Sequence, residues 1–576
     1  MLKKECRWIV IISFGLITSA YALNFPERFS GMTFKPLVYG QHSMVVTNNP
    51  WASKVASLIL KKGGNAIDAS VAAAFVLGLT EPSSSGIGGG GFALTYNQST
   101  QHLIAYDGRE IAPHSASPHL FLDAKGLPLD FSQVMLDYKS IGVPGEVALL
   151  AKMHHQQGKL TWSTLLEPAI TLASQGFPMS PRLHHLLSLD RDILIRDPAV
   201  KAVYFTKLGQ VKPVNTLIKN QAYATTLIAL ATDPTQFYTG RIAQDIISKI
   251  NQLAGRDVYD LSDFKRYSPV EDKALCHSFR AYRVCTTPFS SGGSTLLELL
   301  AIYANNYSGH TFLDSNWIYH FLEASKLAFA DRDQYIADPQ FVPQPLAGLL
   351  SDDYLLQRSQ LVTNKPMSTP VPAGVPKSIA LDYAPDATFK PHGTTSLAIV
   401  DADGNAVSMT LTVEHQFGSH VFVDGFFLNN QLTDFSFLPT NKQGKPIANC
   451  VEAFKRPRSS IASTMVFNQE GELVAISGSP GGSQIICYVA KNLIHMLDFN
   501  RTPQQSSAAG NLCSVNDTPT IESDSDLMFY IQRLSARGEP VLSQTMTSGA
   551  VNIKRTPRVG WYGAADPRRE GQAIGD

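Results

Sequence analysis

The sequence predicts a mixed α/β protein. Three observations carry that prediction. Segments with helical and with strand periodicity alternate along the 576 residues. A block from Thr394 to about Phe467 is rich in strand-forming residues. Hydrophobic residues make up 44% and charged residues 17%, the balance of a chain with a large buried core. Length would allow several domains, although large α/β enzymes use about two hundred residues or more on one core. The formal net charge is zero and no long run of one sign occurs, so composition offers nothing to nucleic acid or to an anionic membrane surface.

The N-terminus reads as an export signal. Lys3, Lys4 and Arg7 precede an apolar run from Trp8 to Ser19, and Ala20-Tyr21-Ala22 has the small-x-small pattern of a cleavage site. The mature chain then starts at Leu23 with 45 basic and 47 acidic residues, a net charge of −2. The apolar run is too short to span a bilayer comfortably, and no later stretch approaches about eighteen uninterrupted apolar residues. An exported protein, periplasmic or secreted, with no stable membrane span is expected.

"WASKVASLILKK", stopped by Gly63-Gly64, reads as an amphipathic helix, and "NAIDASVAAAFVLGL" as a buried one. In "SSSGIGGGGFALTY", Gly86, Gly88 and Gly91 match the spacing GxGxxG. A dinucleotide fingerprint needs a strand before the glycines and a helix after them, and here the order is reversed. The glycines therefore mark either close backbone packing or bare N–H groups lining a pocket. Helix-rich sequence is expected from about Gly145 to Leu300, including "GVPGEVALLAKM" and "SSGGSTLLELLAIYANN". From Lys365 to Pro391 six prolines and little apolar periodicity predict an irregular, exposed connector. "LVAISGSPGGSQIICYVAKNLI" reads as strand, glycine turn and helix, and no solenoid-type repeat is present.

Five cysteines remain after the signal, an odd number. Cys276 and Cys285 flank "HSFRAYRV", which suits either a disulfide across a tight excursion or two buried small hydrophobes. No CxxC or HxxxH spacing points to a metal site, and no cofactor is called for.

"FKPHGTTSLAIVDADGNAVSMTLT" reads as a hairpin: strands Thr394 to Val400 and Ala406 to Thr412 around Asp401-Ala402-Asp403-Gly404-Asn405. Its first strand begins directly after the connector. A threonine hydroxyl is a weak nucleophile unless a base sits beside it, and its own α-amine is one. That amine exists only if the Gly393–Thr394 bond is cut, and Gly393 leaves its carbonyl open to the Thr394 hydroxyl. The pattern alone is also that of an ordinary hairpin.

Resemblance across the chain decides between them. "TTSLAIVDADGNAVSMTLT", "LNNQLTDFS", "KRPRSSIAS", "GSPGGSQII" and "WYGAADPRR" follow the order and near spacing of the γ-glutamyltransferase family, as do "GGNAIDASVAAAFVLGLTEP", "GIGGGGFALTY" and "DGREIAP". The likeness runs from about Val45 to the C-terminus. It implies an N-terminal nucleophile hydrolase with a four-layer αββα sandwich, formed jointly by a large subunit (23–393) and a small subunit (394–576) cut from one precursor. It makes Thr394 both cleavage site and nucleophile, with Thr412 beside it. Hairpin pairing brings positions so spaced together.

The other matching positions form a cage for a zwitterion. Arg109 in "DGRE" is suited to grip an α-carboxylate in a fork, with Ser459 and Ser460 donating to the same group. Gln431, Asp434 and Glu414 lie on the side of the α-ammonium. Gly481 and Gly482 match the family's oxyanion hole, where two N–H groups face the developing charge. Ser479 in "SGSPG" is no nucleophile elbow, because Ser477 stands where that motif needs glycine. The implied substrates are glutathione or other γ-glutamyl compounds, with amino-acid or peptide acceptors and no cofactor.

Three departures stand out. Glu414 replaces the asparagine of many members and adds a negative charge near the ammonium side. "FSFLPTNKQGKPIA" lacks the tyrosine that many members place in a lid, so an open pocket is expected. "NRTPQQSSAAGNLCSVNDTPTIESDSD" is unusually polar. The alternatives are an acylase of the cephalosporin or glutaryl type on the same fold, whose substrates have no α-amine for Asp434, and a processed but inactive binding protein.

Overall fold

The computed structural model describes residues 29–377, 383–386 and 393–576; the expected signal and part of the connector lie outside them. Two seven-stranded sheets form its centre. One runs in the order Gln572–Gly575, Met44–Thr47, Thr395–Val400, Ala406–Thr412, Gly90–Asn97, His102–Asp107 and Val270–Lys273. The other runs Val38–Gly40, Trp561–Ala565, Val551–Arg555, Leu473–Gly478, Thr464–Phe467, Tyr282–Thr286 and Leu275–Phe279. All neighbours in both sheets are antiparallel.

Strand alternation assigns the layers. Leu397 and Ile399 join a core with helices Pro50–Lys61, Ala66–Thr80, Glu146–Gln157 and Trp162–Gln175. Ala398 and Val400, on the opposite face, join a core with Met465, Val466 and Ile476 of the second sheet, which continues into helices Gly293–Asn306, Asn316–Tyr335 and Ile485–Leu497. Helix, sheet, sheet and helix follow one another, the αββα sandwich. Because both faces of Thr395–Val400 are covered, every residue of that strand is buried.

Local chemistry sets the elements. Asn65 and Asp68 form a capping box at the start of Ala66–Thr80, which is buried along its whole length. Asp401 accepts hydrogen bonds from the N–H groups of Asp403 and Asn405, closing the hairpin, and Gly404 takes the left-handed turn position at φ +84°. The glycine run is a close-packing device: a Cβ on Gly89 or Gly91 would come within 2.1 or 2.2 Å of the Thr412 or Thr410 carbonyl. The helix-rich stretch is interrupted, since Val270–Lys273, Leu275–Phe279 and Tyr282–Thr286 are strands. Short runs of charged and polar residues there hid the sheet edges.

Cys276 and Cys285 face each other across that hairpin and are disulfide-bonded. Cys487 and Cys513 form a second bond, which the sequence left unpaired, and Cys450 is free. The polar 500s segment is spent on specific partners: Glu522 pairs with Arg568 at 2.6 Å, and Asn516 exchanges two hydrogen bonds with Val371 of the connector. Among the described residues no helix is long and apolar enough to cross a membrane.

Candidate active site

Thr394 stands just ahead of its strand, and the register pairing Thr395 with Leu411 carries it beside Thr412. Thr394 Oγ1 donates to the Gly393 carbonyl oxygen at 2.6 Å, and Thr412 Oγ1 donates to the same oxygen at 2.5 Å. The Glu414 N–H donates to Thr412 Oγ1 at 2.8 Å, which leaves the Thr412 proton directed at Gly393. Only glycine fits at 393, since a Cβ would lie 2.5 Å from the Glu414 carbonyl. Arg569 Nη1 donates to the Thr394 carbonyl at 3.0 Å.

Arg109, Thr394, Thr412, Glu414, Asp434, Ser459, Ser460 and Gly482 line one narrow cleft of about 20 Å³, room for about one water and not the open pocket expected, because the Arg109–Asp434 pair spans it. Gln431 lies directly behind, donating through Nε2 to Glu414 and, at 3.1 Å, to Asp434. Gly481 adjoins Gly482 at the turn into helix Ile485–Leu497. A Cβ there would meet the Tyr488 ring at 2.3 Å, and its φ of +137° also favours glycine.

The Arg109 guanidinium is 1% exposed. It donates through Nη2 to the Asp434 carboxylate and to the Arg458 carbonyl, and through Nε to the Pro457 carbonyl. The Arg109 and Asp434 charges therefore neutralise each other. The charge that the replacement of asparagine by Glu414 suggests is opposed by its surroundings: burial and the Asp434 carboxylate beside it push its carboxyl well above the usual range. Glu414 also sits at φ +78°, a strained position for a side chain-bearing residue. Behind Arg109, burial pushes Glu110 and Glu146 up to about 8.

Arg332 and Arg458 also line the cleft, and sequence reasoning passed over both. Arg332 Nη2 donates to Ser460 Oγ at 2.8 Å, holding one of the serines in place. Burial and neighbouring Arg458 lower its pKa to about 10. Arg458 stood inside the quoted "KRPRSSIAS"; nothing local marks Arg332, which comes from the distant helix Asn316–Tyr335. Away from the cleft, His114, Asp260 and Asp263 approach one another, but Asp263 spends its oxygens on the N–H groups of His114 and Asp260, a helix cap.

The model of the γ-glutamyltranspeptidase family matches residues 52–576. The chain belongs to that family. It is 32% identical to the glutathione hydrolase proenzyme of Bacillus subtilis strain 168 over 94% of this chain and 93% of that one. It is also 32% identical to the proenzyme of the same name from Pseudomonas aeruginosa, over 92% and 94% of the two chains. Among solved structures, a cephalosporin acylase from Bacillus halodurans superimposes with a TM-score of 0.83 at 26% identity, covering 96% of this chain and 99% of that one. A γ-glutamyltranspeptidase from Pseudomonas nitroreducens matches at 32% identity with a TM-score of 0.52, over 56% of this chain and 95% of that one. The αββα sandwich is that of these N-terminal nucleophile hydrolases.

Proposed function

We propose that this γ-glutamyltranspeptidase family member is a γ-glutamyltransferase and glutathione hydrolase that activates itself by cutting between Gly393 and Thr394. The observation that carries the reading is the convergence of the Thr394 and Thr412 hydroxyls on the Gly393 carbonyl beside the Arg109–Asp434 pair. The Thr394 oxygen attacks the Gly393 carbonyl carbon while Thr412 donates to the carbonyl oxygen. The C–N bond breaks as an ester to Thr394 forms, and the released amine takes up a proton. Water then hydrolyses the ester, leaving a Gly393 carboxylate on the large subunit (23–393) and a free Thr394 amine on the small subunit (394–576). The two remain together as a heterodimer.

The new amine, with an ordinary pKa of about 7.7 to 8.0, serves as the base for the hydroxyl beside it. The hydroxyl attacks the γ-carbonyl of the substrate, the Gly481 and Gly482 N–H groups face the oxyanion, and the leaving amine carries off the proton. A γ-glutamyl ester remains, which water or an amino-acid or peptide acceptor resolves. Binding exchanges partners: the substrate α-carboxylate replaces Asp434 on Arg109, and its α-ammonium replaces Arg109 on Asp434. No residue from 435–449 lines the cleft, which favours hydrolysis over transfer. Residues 1–22 direct export, to the periplasm or beyond.

The likeness to a cephalosporin acylase gives a second reading, an amidohydrolase for glutaryl-type substrates. The purified protein should release the chromophore from a γ-glutamyl anilide and leave the matching glutaryl anilide intact. The reverse preference would overturn the γ-glutamyl reading in favour of the acylase.

A further inference from the structure

One buried amide stands behind the nucleophile and takes no part in the chemistry above. Strand Met44–Thr47 pairs with Thr395–Val400 as far as Thr47 opposite Leu397, and then leaves the sheet, because Asn49 caps helix Pro50–Lys61. A side chain continues the ladder. Asn48 Oδ1 accepts from the Ser396 N–H at 2.7 Å and from Thr395 Oγ1 at 3.4 Å, on the two residues that follow Thr394. Asn48 Nδ2 donates to the Gly549 carbonyl at 2.7 Å, and Asn48 is fully buried.

Gly549 touches both halves of the reaction centre. A Cβ on it would lie 2.5 Å from Pro480 Cγ and 2.7 Å from Arg569 Cδ, so its backbone rests directly on both residues. Pro480 precedes the Gly481–Gly482 pair, and the Gly549 N–H donates to Ser479 Oγ at 3.3 Å. Arg569 is the residue that donates to the Thr394 carbonyl. One amide of the large segment thus joins the start of the nucleophile strand to the loop that carries the oxyanion glycines. A side-chain amide offers an acceptor and a donor at once, and when buried it keeps both partners, because losing either leaves a polar atom desolvated.

We infer that Asn48 is a positioning residue for turnover: it fixes the Thr394 hydroxyl relative to the Gly481 and Gly482 N–H groups. The inference rests on the roles proposed for Thr394 and the glycine pair. Acyl transfer needs nucleophile and oxyanion donors held in one geometry, and a small misplacement of either is costly. Self-cleavage makes a different demand, since the Gly393 carbonyl is served by Thr394 and Thr412 of one hairpin, which Asn48 leaves in place.

Kinetics on a γ-glutamyl anilide, read beside precursor conversion on denaturing gels, test it. Asn48→Ala should lower kcat by about tenfold or more with KM within about twofold of wild type, while the precursor converts at close to the wild-type rate. Asn48→Asp keeps the acceptor for Ser396 and replaces the donor to Gly549 with an oxygen, so it should lose turnover as Asn48→Ala does. Ser479→Ala removes the other bond between Gly549 and the oxyanion loop, and it should cost less in the Asn48→Ala background than in wild type. An unchanged kcat in Asn48→Ala overturns the inference. So does a wild-type kcat in Asn48→Asp, which would leave only the strand contact at work, and so do additive effects of Asn48→Ala and Ser479→Ala. Equal loss of conversion and turnover in Asn48→Ala would make Asn48 a support of the fold and overturns it too. A wild-type protein that converts but does not act on the anilide overturns the γ-glutamyl reading itself, and the inference with it.

Discussion

The hydroxyls of Thr394 and Thr412 meet on one carbonyl oxygen, that of Gly393, at 2.6 and 2.5 Å. The hairpin places them side by side, and the Glu414 N–H orients the second so that its proton points at the bond the first would attack. In the proposed self-cleavage the first hydroxyl acts as nucleophile and the second as donor to the carbonyl oxygen.

Replacing the nucleophile separates the two jobs assigned to it. Wild type should resolve under denaturing conditions into 23–393 and 394–576, and the small fragment should begin at Thr394. Reductant should not be needed, because Cys276–Cys285 and Cys487–Cys513 each lie within one fragment. Thr394→Ala should remain one chain without turnover, and Thr394→Ser should do both steps slowly, keeping the hydroxyl but losing the methyl that restricts χ1. Any other N-terminus on the small fragment counts against the mechanism.

Thr412→Val keeps the shape of the side chain and removes the donor to Gly393. Loss of one such donor typically costs about 10²–10³ in rate, so cleavage should slow by that order while Thr412→Ser stays close to wild type. A time course of precursor conversion measures this. Rapid cleavage by the valine variant would leave Thr412 a packing residue.

Arg109→Lys replaces a planar fork that serves Asp434, Pro457 and Arg458 with a single ammonium. We expect kcat/KM on a γ-glutamyl anilide to fall by at least about tenfold, with self-cleavage at the normal rate. Equal loss of cleavage would mean that Arg109 supports the fold rather than the substrate.

Glu146 gives a pH prediction whose sign follows from linkage. Burial raises its folded-state pKa to about 8, so between its unfolded value near 4.3 and pH 8 the folded protein holds a proton that the unfolded chain has lost. Its contribution to stability is therefore fully present below about pH 4 and declines as pH rises, by at most about 1.4 kcal/mol per unit. Glu146→Gln removes the titration. Thermal melts should show the variant gaining on wild type from pH 5 to pH 8, and a gap that stays constant with pH would contradict the assignment.

The absence of any 435–449 residue from the lining of the cleft bears on product distribution. Phe435 and Phe437 instead pack into a separate small core with Phe121 and Val134. With glutathione as donor and a modest concentration of dipeptide acceptor, free glutamate should exceed transfer product. Near-exclusive transfer would contradict this reading of the 435–449 segment.

Much of this was legible in linear order, because it depends on neighbours in the chain. The hairpin around Asp401 to Asn405, the capped helix after Asn65, the glycine turn before Ile485 and the threonine that follows Gly393 all declare themselves through turn chemistry, caps and periodicity. The motif order then named the family and its site residues. Tertiary structure decided what depends on distance through space. It interrupted the helical region with sheet strands, since Val270–Lys273 pairs with His102–Asp107 and Tyr282–Thr286 with Thr464–Phe467, and it paired Cys487 with Cys513. It brought Arg332 into the cleft from a distant helix with no local signal, beside Arg458 of the "KRPRSSIAS" motif. It also pushed the Glu414 carboxyl well above its usual range, against the negative charge expected there, since burial beside Asp434 disfavours the anion. Local conformational preference is written in adjacent residues; burial, ion pairing and the protonation they set arise only when distant segments share one low-dielectric space.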